Sequence, residues 1–310
     1  MSTTRIRTVA AGFAVLALTG GLAACSSSKS SSGSAGAAAS SAAPSVSGTI
    51  TVFAAASLQG TFTQLGKNFE AAHPGTTVKF NFGGSDTLAQ SINSGAPADV
   101  FAAASQATMT TVTKAGGNAD TPTVFVRNTL EIAVPNGNPK HLTSLQSLTA
   151  PGVKVALCAP TVPCGAAAQT ALKDAGVSLT PVTLEQDVTS ALTKVELGEV
   201  DASIVYQTDV KGAGGKVTGV NFPEAAKAVN SYPIATLAKA PNPAGAKAFE
   251  QYVESPDGIA VLTAAGFQTP AAGSAAPSGS AAPSGSAAAS GSAAPSAPAA
   301  PSGSPAPSAS

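Results

Sequence analysis

The chain has 310 residues, in which 16 Lys and Arg residues balance 16 Asp and Glu residues, so the net charge at neutral pH is zero. No basic run lies outside the extreme N-terminus, and this argues against a nucleic-acid-binding protein, which needs clustered positive charge. The totals of 31 Gly, 23 Pro and no Trp average over a central part that can fold and end segments that cannot bury enough apolar surface.

The N-terminus has the pattern of an export signal, which we predict for residues 1–24. Arg5 and Arg7 precede a Gly-interrupted apolar run that is too short for a comfortable membrane span. The run ends in LAAC, Leu22 to Cys25, which resembles the lipobox of bacterial lipoproteins. This resemblance implies that Cys25 is lipidated and anchors the protein at the extracytoplasmic face of the cell membrane, stably so with at least two acyl chains. The alternative is an ordinary cleaved signal with a chance cysteine.

Two segments have a low-complexity composition. Residues 25–47 and 271–310 contain almost only Ser, Ala, Gly and Pro, so they offer no large apolar side chains to offset the entropic cost of ordering. We predict that both are disordered, the first as a linker between a lipid anchor and the folded part. The six-residue rhythm SAAPSG of the tail suggests a spacer or a glycosylated tract.

The folded part opens with three strand-helix pairs. A buried strand in TITVFAAA leads into a helix on which Leu58, Phe62, Leu65 and Phe69 recur at helical spacing, and Pro74 follows its end. The strand TVKFNF with the helix TLAQSINSG, and the strand DVFAAAS with the helix QATMTTVTKAG, repeat the pattern. This order predicts a parallel α/β sheet with right-handed crossovers.

A second α/β unit follows the long apolar segment TVFVRNTLEIAVP. It contains the strand VKVALCAP, the helices CGAAAQTALKDAG and TSALTKVELGEV, and a strand with its following turn in ASIVYQTDV. The segment YPIATLAK and a final helix, NPAGAKAFEQYVES, complete the fold. We therefore predict two lobes, 48–127 with 231–270 and 128–230, each a mainly parallel sheet flanked by helices, with a ligand cleft between them.

Three junctions from strand to helix could bind an anion. Ser57 follows VFAAA, Ser85 follows FNFGG, and Gly165 follows the prolines and a cysteine. The first turn of a helix has unpaired N–H groups and a partial positive charge, which favour an anion. The alternative for each serine alone is an ordinary N-cap.

Two cysteines, Cys158 and Cys164, remain as an even pair if Cys25 is lipidated. Outside the cytosol such a pair favours a structural disulfide. A zinc site would need two more ligands, but only His73 and His141 exist and both are distant in sequence. A redox pair is more often C-x-x-C, and two unpaired thiols are the remaining alternative.

Four segments together carry a family resemblance. TVFAAASL, FNFGGSDTLAQSINSGAPADVFAAAS, PTVPCGAAAQTAL and VTSALTKVELGEVDASIVYQTDV resemble, in order and spacing, the periplasmic molybdate-binding proteins of ABC importers. The resemblance covers about residues 48–270 and implies the type II periplasmic-binding-protein fold. It further implies a monomeric binding protein without catalytic activity or cofactor, which captures molybdate or tungstate and delivers it to an ABC permease and its ATPase.

The resemblance also implies the site residues. Ser57, Ser85 and Tyr206 would donate through their hydroxyls, and Cys164 and Val188 through their backbone N–H groups, to a tetrahedral oxyanion with no direct protein ligand to molybdenum. A fully deprotonated dianion offers only acceptors, so an all-donor site suits it. If Cys164 contributes only its N–H, its side chain is free to bond Cys158 and fix the loop.

Asp86 departs from the family pattern, in which many relatives have serine. A carboxylate beside a dianion lowers affinity unless it points away. We expect Asp86 to cap its own helix; if it faced the ligand, it could accept a proton from a monoprotonated anion and phosphate would be a serious rival.

Other functional classes fit less well. An enzyme with Ser57 or Ser85 as nucleophile would need a nearby base, but neither His has a partnering motif and no G-x-S-x-G elbow is present. A surface adhesion or wall-associated lipoprotein would fit the tail but gives no reason for the three junctions. A binding protein for phosphate or sulfate stays open as the nearest alternative.

Overall fold

The structure is a computed structural model, and it describes residues 46–270. The predicted leader 1–24, the lipidation residue Cys25, nearly all of the predicted linker 25–47 and the tail 271–310 lie outside the described residues. Within 46–270, no helix combines the length and the apolar character that a membrane crossing needs.

Ten strands and eight α-helices make up the described part of the chain. The strands are β1 (Gly48–Ala55), β2 (Thr76–Gly83), β3 (Val100–Ala102), β4 (Thr123–Asn128), β5 (Leu130–Pro135), β6 (Val155–Cys158), β7 (Thr183–Glu185), β8 (Ala202–Tyr206), β9 (Val217–Val220) and β10 (Asn230–Thr236). The helices are α1 (Gln59–Ala72), α2 (Ser85–Asn93), α3 (Gln106–Lys114), α4 (Pro163–Asp174), α5 (Val188–Glu196), α6 (Gln207–Gly212), α7 (Pro243–Glu254) and α8 (Pro256–Ala264).

The strands form two five-stranded sheets of matching design. Their orders are β2-β1-β3-β10-β4 and β7-β6-β8-β5-β9. Each sheet has two parallel and two antiparallel pairings, so the sheets are mixed rather than mainly parallel as the sequence had suggested. The antiparallel strands include those that carry the chain between the sheets, which therefore need no crossover helix.

The sheets define two lobes, and the two-lobed α/β fold predicted from the sequence is confirmed. The chain leaves the first sheet after Asn128 and returns to it at Asn230. These two residues pair directly between β4 and β10. The two connections between the lobes therefore lie side by side.

The first lobe is held by an aromatic core, of which the helix periodicity predicts Phe62 and Phe69. Phe62, Phe69 and Phe249 are fully buried, and Phe69 meets the ring of Phe249 edge to face with centroids 5.3 Å apart. Burial of each such side chain stabilises the fold by about 1.5–3 kcal/mol. Helix α1 ends at Ala72, and Gly75, with φ of 91°, supplies the left-handed residue that turns the chain into β2.

Some elements differ from the sequence interpretation. The segment after β8, expected to be a turn, forms α6. Helix α8 follows α7 directly, although we had expected one final helix. The sequence of α8 is so apolar that the alternation of apolar and polar residues typical of a helix is weak. The short strands β7 and β9 were also missed, since three or four residues give little pattern.

Candidate functional site

The structure brings all five predicted site residues around one small cavity between the lobes. Ser57, Ser85, Cys164, Val188 and Tyr206 all line it, and its volume is about 10 Å³. Cavities that hold drug-sized ligands are some 300–1,000 Å³. In this closed arrangement the cavity therefore suits only a very small ligand.

The first turns of helices from both lobes line this cavity. Ser57 lies in a 3-10 helix, Ala56–Leu58, that runs directly into α1, and Ser85 is the first residue of α2. From the second lobe, Cys164 is the second residue of α4 and Val188 is the first of α5. Backbone N–H groups in a first turn have no partner within the helix, so the cavity collects both donors and partial positive charge.

Each of the three hydroxyls is held by another group of the protein. The backbone N–H of Ala104 donates to Ser85 Oγ at 3.0 Å. Asn230 Nδ2 donates to Tyr206 Oη at 2.9 Å. The third hydroxyl, Ser57 Oγ, lies 2.9 Å from Tyr232 Oη.

Neither serine is an N-cap. The cap residue of α2 is Gly84, and that of the 3-10 helix is Ala55; neither position has a side-chain capping hydrogen bond. The alternative interpretation of Ser57 and Ser85 as ordinary caps is therefore wrong. Both serines line the cavity instead.

The loop before α4 is closed by the predicted disulfide. Cys158, the last residue of β6, is bonded to Cys164 in the first turn of α4. A side chain at Gly165 would collide with the carbonyl oxygens of Ala159 and Cys158. The chain is thus packed tightly beside Cys164, which lines the cavity.

The cavity wall is neutral apart from one carboxylate. Among the described residues that line it there is no Lys or Arg, and the acidic residue is Asp187. Both oxygens of Asp187 are already engaged, Oδ1 by the Ser190 N–H at 2.8 Å and Oδ2 by the Ser190 hydroxyl at 3.0 Å. This carboxylate caps α5 and does not need a partner from the cavity.

Asp86 is not among the residues that line the cavity. It does not cap its helix either, because Gly84 occupies the N-cap position, so that expectation is wrong. Its Oδ1 is buried and has no hydrogen-bond partner among the described residues.

Burial keeps the two tyrosines near the cavity in their hydroxyl form. It raises the pKa of Tyr206 well above the ordinary value, and it also raises the pKa of Tyr232. Asp209, which accepts the Tyr206 N–H at 3.0 Å, has its pKa raised to about 7. Burial is the main cause for Asp209 and the charge of Asp187 adds to it, while the Tyr206 N–H opposes the shift.

The lobes are in contact across the cleft beside the cavity. A side chain at Gly84, in the first lobe, would overlap the backbone carbonyl oxygen of Gln186 in the second. Glycine therefore allows the two lobes to approach this closely.

A second cavity between the lobes is larger, about 700 Å³. It shares Ser57 with the small cavity, but charged residues of both signs line it, including Glu196, Asp209, Lys211 and Lys216. Its chemistry is mixed, whereas the small cavity collects neutral donors. We therefore take the small cavity as the candidate site.

The sequence interpretation missed the residues behind the hydroxyls. Asn230 and Tyr232 belong to β10, and Asn128 ends β4. All three are nearly or fully buried. An Asn at each crossing between lobes is a weak signal, and nothing in the sequence of YPIATLAK distinguishes Tyr232 from a core aromatic.

Two lobes that enclose a small cavity of hydroxyls and helix N-termini define a class, the two-lobed solute-binding proteins. The chain belongs to the family of bacterial extracellular solute-binding proteins, whose model matches residues 50–268. The prediction of a binding protein rather than an enzyme agrees with this family.

Individual molybdate-binding proteins are similar to this chain. The molybdate-binding protein ModA of Mycobacterium tuberculosis is 46% identical over 222 residues, which are 72% of this chain and 85% of that protein. ModA of Escherichia coli is 33% identical over 230 residues, 71% and 89% of the two chains. Among solved structures, the periplasmic molybdate-binding protein of Azotobacter vinelandii has the same fold, with a TM-score of 0.62 at 20% identity over 71% of this chain and 99% of that one.

Proposed function

We propose that the protein captures molybdate, and also tungstate, in the small cavity between its lobes. The observation that carries this proposal is the set of three hydroxyls, on Ser57, Ser85 and Tyr206, that converge with helix N-termini on a cavity whose described lining has no cation. A fully deprotonated tetrahedral dianion has only acceptors to offer, and such a wall supplies donors. Neutral dipoles suffice when several converge where water is excluded.

The names of the relatives support the choice of anion. The M. tuberculosis protein, 46% identical, is a molybdate-binding protein, and so is the E. coli protein. Tungstate is included because its size and charge are nearly those of molybdate. Phosphate differs because it carries a proton at neutral pH, which the donor groups of the wall cannot accept, and the one carboxylate among the described residues of the wall, Asp187, is already engaged by Ser190.

Ligand binding would hold the lobes closed. Ser57 and Ser85 belong to the first lobe, and Cys164, Val188 and Tyr206 to the second. An anion that accepts hydrogen bonds from both sets gains its full interaction only in the closed form, so it shifts the equilibrium toward closure.

The closed form would then be recognised by a membrane partner. We propose that Cys25 carries a lipid, that the segment after it tethers a monomeric binding domain outside the membrane, and that an ABC permease with its ATPase receives the anion. The lipobox-like LAAC sequence supports the anchor. A Cys25→Ala variant should be released from membranes into the medium and should fail to incorporate labelled fatty acid; retention at the membrane would contradict the anchor.

Calorimetric titration of the purified protein with molybdate, tungstate, sulfate and phosphate tests the proposed ligand. We expect tight binding of the first two and no heat from sulfate or phosphate. Ser85→Ala should weaken molybdate binding by about 10-fold or more, because it removes one donor and leaves the Ala104 N–H unpaired. Ser91→Ala is the matched control, since Ser91 lies on the same helix and its hydroxyl bonds only its own helix at Thr87. Strongest binding of phosphate, or no binding at all, would contradict the proposal.

A further inference from the structure

We propose that Asn230 and Tyr232 are positioning residues that turn the hydroxyls of Tyr206 and Ser57 into pure donors and so make the cavity reject an anion that carries a proton. Neither residue touches the small cavity itself. Both act from β10, directly behind the cavity wall. The inference rests on the proposed binding of a deprotonated oxyanion.

The geometry around Asn230 fixes the direction of its hydrogen bonds. Its Nδ2 is 2.7 Å from the carbonyl oxygen of Ala104, which can only accept, so this atom is the amide nitrogen. The second hydrogen of the same group points to Tyr206 Oη at 2.9 Å. Tyr206 therefore accepts from Asn230, and we assign its own hydrogen to the cavity that it lines rather than to the neighbouring Tyr232 hydroxyl.

The same reasoning applies to Tyr232, which is fully buried. Its hydroxyl lies 3.4 Å from Asn128 Nδ2 and 2.9 Å from Ser57 Oγ, and the Tyr206 hydroxyl is a further hydrogen-bonding neighbour. Asn128 Nδ2 also donates to Thr208 Oγ1, and Asn128 Oδ1 accepts the Thr129 N–H, so the amide orientation is fixed. Because Asn128 can only donate to Tyr232, Tyr232 has a hydrogen to give, and we assign it to Ser57 Oγ at 2.9 Å. The hydrogen of Ser57 is then free for the ligand.

Ser85 completes the pattern, because a backbone N–H, that of Ala104, already donates to its oxygen. All three cavity hydroxyls thus receive one hydrogen bond from the protein and have one hydrogen to give. A hydrogen on the ligand would find no acceptor among these three hydroxyls, and the Asp187 carboxylate in the wall is already engaged by Ser190, so the hydrogen costs more than a missing contact. Selectivity then arises from residues behind the wall as well as from those in it.

Tyr232→Phe is the sharpest test, because it removes the hydroxyl and keeps the ring that packs on Tyr206 and Phe267. Without the donated hydrogen, Ser57 Oγ can accept a hydrogen from the ligand. We expect molybdate affinity to fall by about 10-fold. We also expect phosphate to displace molybdate from the variant at an at least 10-fold smaller excess than from the unmodified protein. Tyr252→Phe is the matched control, since its ring packs on Phe69 within the first lobe, and it should change neither value.

The displacement ratio separates positioning from a merely structural role. A role in packing alone would lower the affinities for molybdate and phosphate equally and leave the displacement ratio unchanged. That result would overturn the inference, and so would a variant from which phosphate still fails to displace molybdate. Asn230→Ala gives an independent measurement through Tyr206, with the same expected direction, and thermal unfolding reports whether each variant is folded. If the unmodified protein binds no molybdate, the proposed function itself fails; if it binds and the ratios stay fixed, only the positioning inference fails.

Discussion

Asn128 and Asn230 face each other on adjacent antiparallel strands at the junction of the two lobes, and each divides its amide hydrogens between the lobes. Asn128 donates to Tyr232 of the first lobe and Thr208 of the second. Asn230 donates to Ala104 of the first lobe and Tyr206 of the second. The junction therefore links the positions of the lobes to the orientation of the cavity hydroxyls.

Asn128→Ala should loosen this link. The variant loses the bond to Thr208 at 2.7 Å and the contact with Tyr232, so the closed form loses part of its stabilisation. We expect molybdate binding to weaken by about 10-fold in calorimetry. Asn93→Ala, which removes an exposed Asn on α2 bonded to Thr111, is the control and should bind normally. Equal affinities of the two variants would show that the junction amide does not support closure.

Gly84→Ala tests closure directly. The added methyl group would overlap the Gln186 carbonyl oxygen of the other lobe, while its second close neighbour, Asp86 Oδ1, ends a side chain that can move aside. Each lobe should therefore fold normally while binding is lost by about 100-fold or more. Gly60→Ala is the control, since its added methyl group has open space. Small-angle scattering with saturating molybdate should show compaction of the control and none of Gly84→Ala. Compaction of both would mean that the bound form is less tightly closed than this structure.

Reduction of the disulfide should affect binding more than folding. The bond spans a separation of 6 residues, and such a short loop restrains the unfolded chain by only about 2 kcal/mol. It also fixes the turn that presents the Cys164 N–H to the cavity. A Cys158→Ala/Cys164→Ala variant should remain folded in denaturant titrations and bind molybdate about 10-fold more weakly. An unchanged dissociation constant would contradict the idea that the disulfide serves the site.

Asp209 should make stability and affinity depend on pH. Its pKa is raised from 3.8 to about 7 in the folded protein, so its contribution to the free energy of unfolding is fully present below 3.8 and is lost as the pH rises through about 7. The same deprotonation adds a negative charge near Tyr206, so molybdate affinity should decrease over that interval. Asp209→Asn should flatten both profiles, whereas Asp174→Asn, at an exposed position, should leave them as they are. Parallel profiles for the two variants would assign the pH dependence to another group.

The fold was largely predictable because its signals are local. Buried apolar runs such as TITVFAAA and the spacing of Phe62, Leu65 and Phe69 report strands and helix faces directly. The antiparallel strands were misjudged because their partners are distant in sequence. Asn230 and Asn128 are paired across more than a hundred positions, and no local pattern reports such a pairing.

The site was predictable only in part, for a similar reason. Ser57 and Ser85 stand at junctions from strand to helix, which the sequence reveals, whereas Cys164, Val188 and Tyr206 follow from the resemblance to a family. Asn230, Tyr232 and Asn128 act through side chains that meet the cavity hydroxyls only after both lobes have formed. The unpartnered Asp86 carboxylate also could not be foreseen, since capping depends on where α2 begins.

Anomalous scattering at the molybdenum edge, from crystals grown with molybdate, would locate the bound anion. We predict one peak in the small cavity, with ligand oxygens within hydrogen-bonding distance of Ser57 Oγ, Ser85 Oγ and Tyr206 Oη and of the backbone N–H groups of Cys164 and Val188. A peak in the larger cavity beside Lys211, or no peak within the lobes, would contradict it.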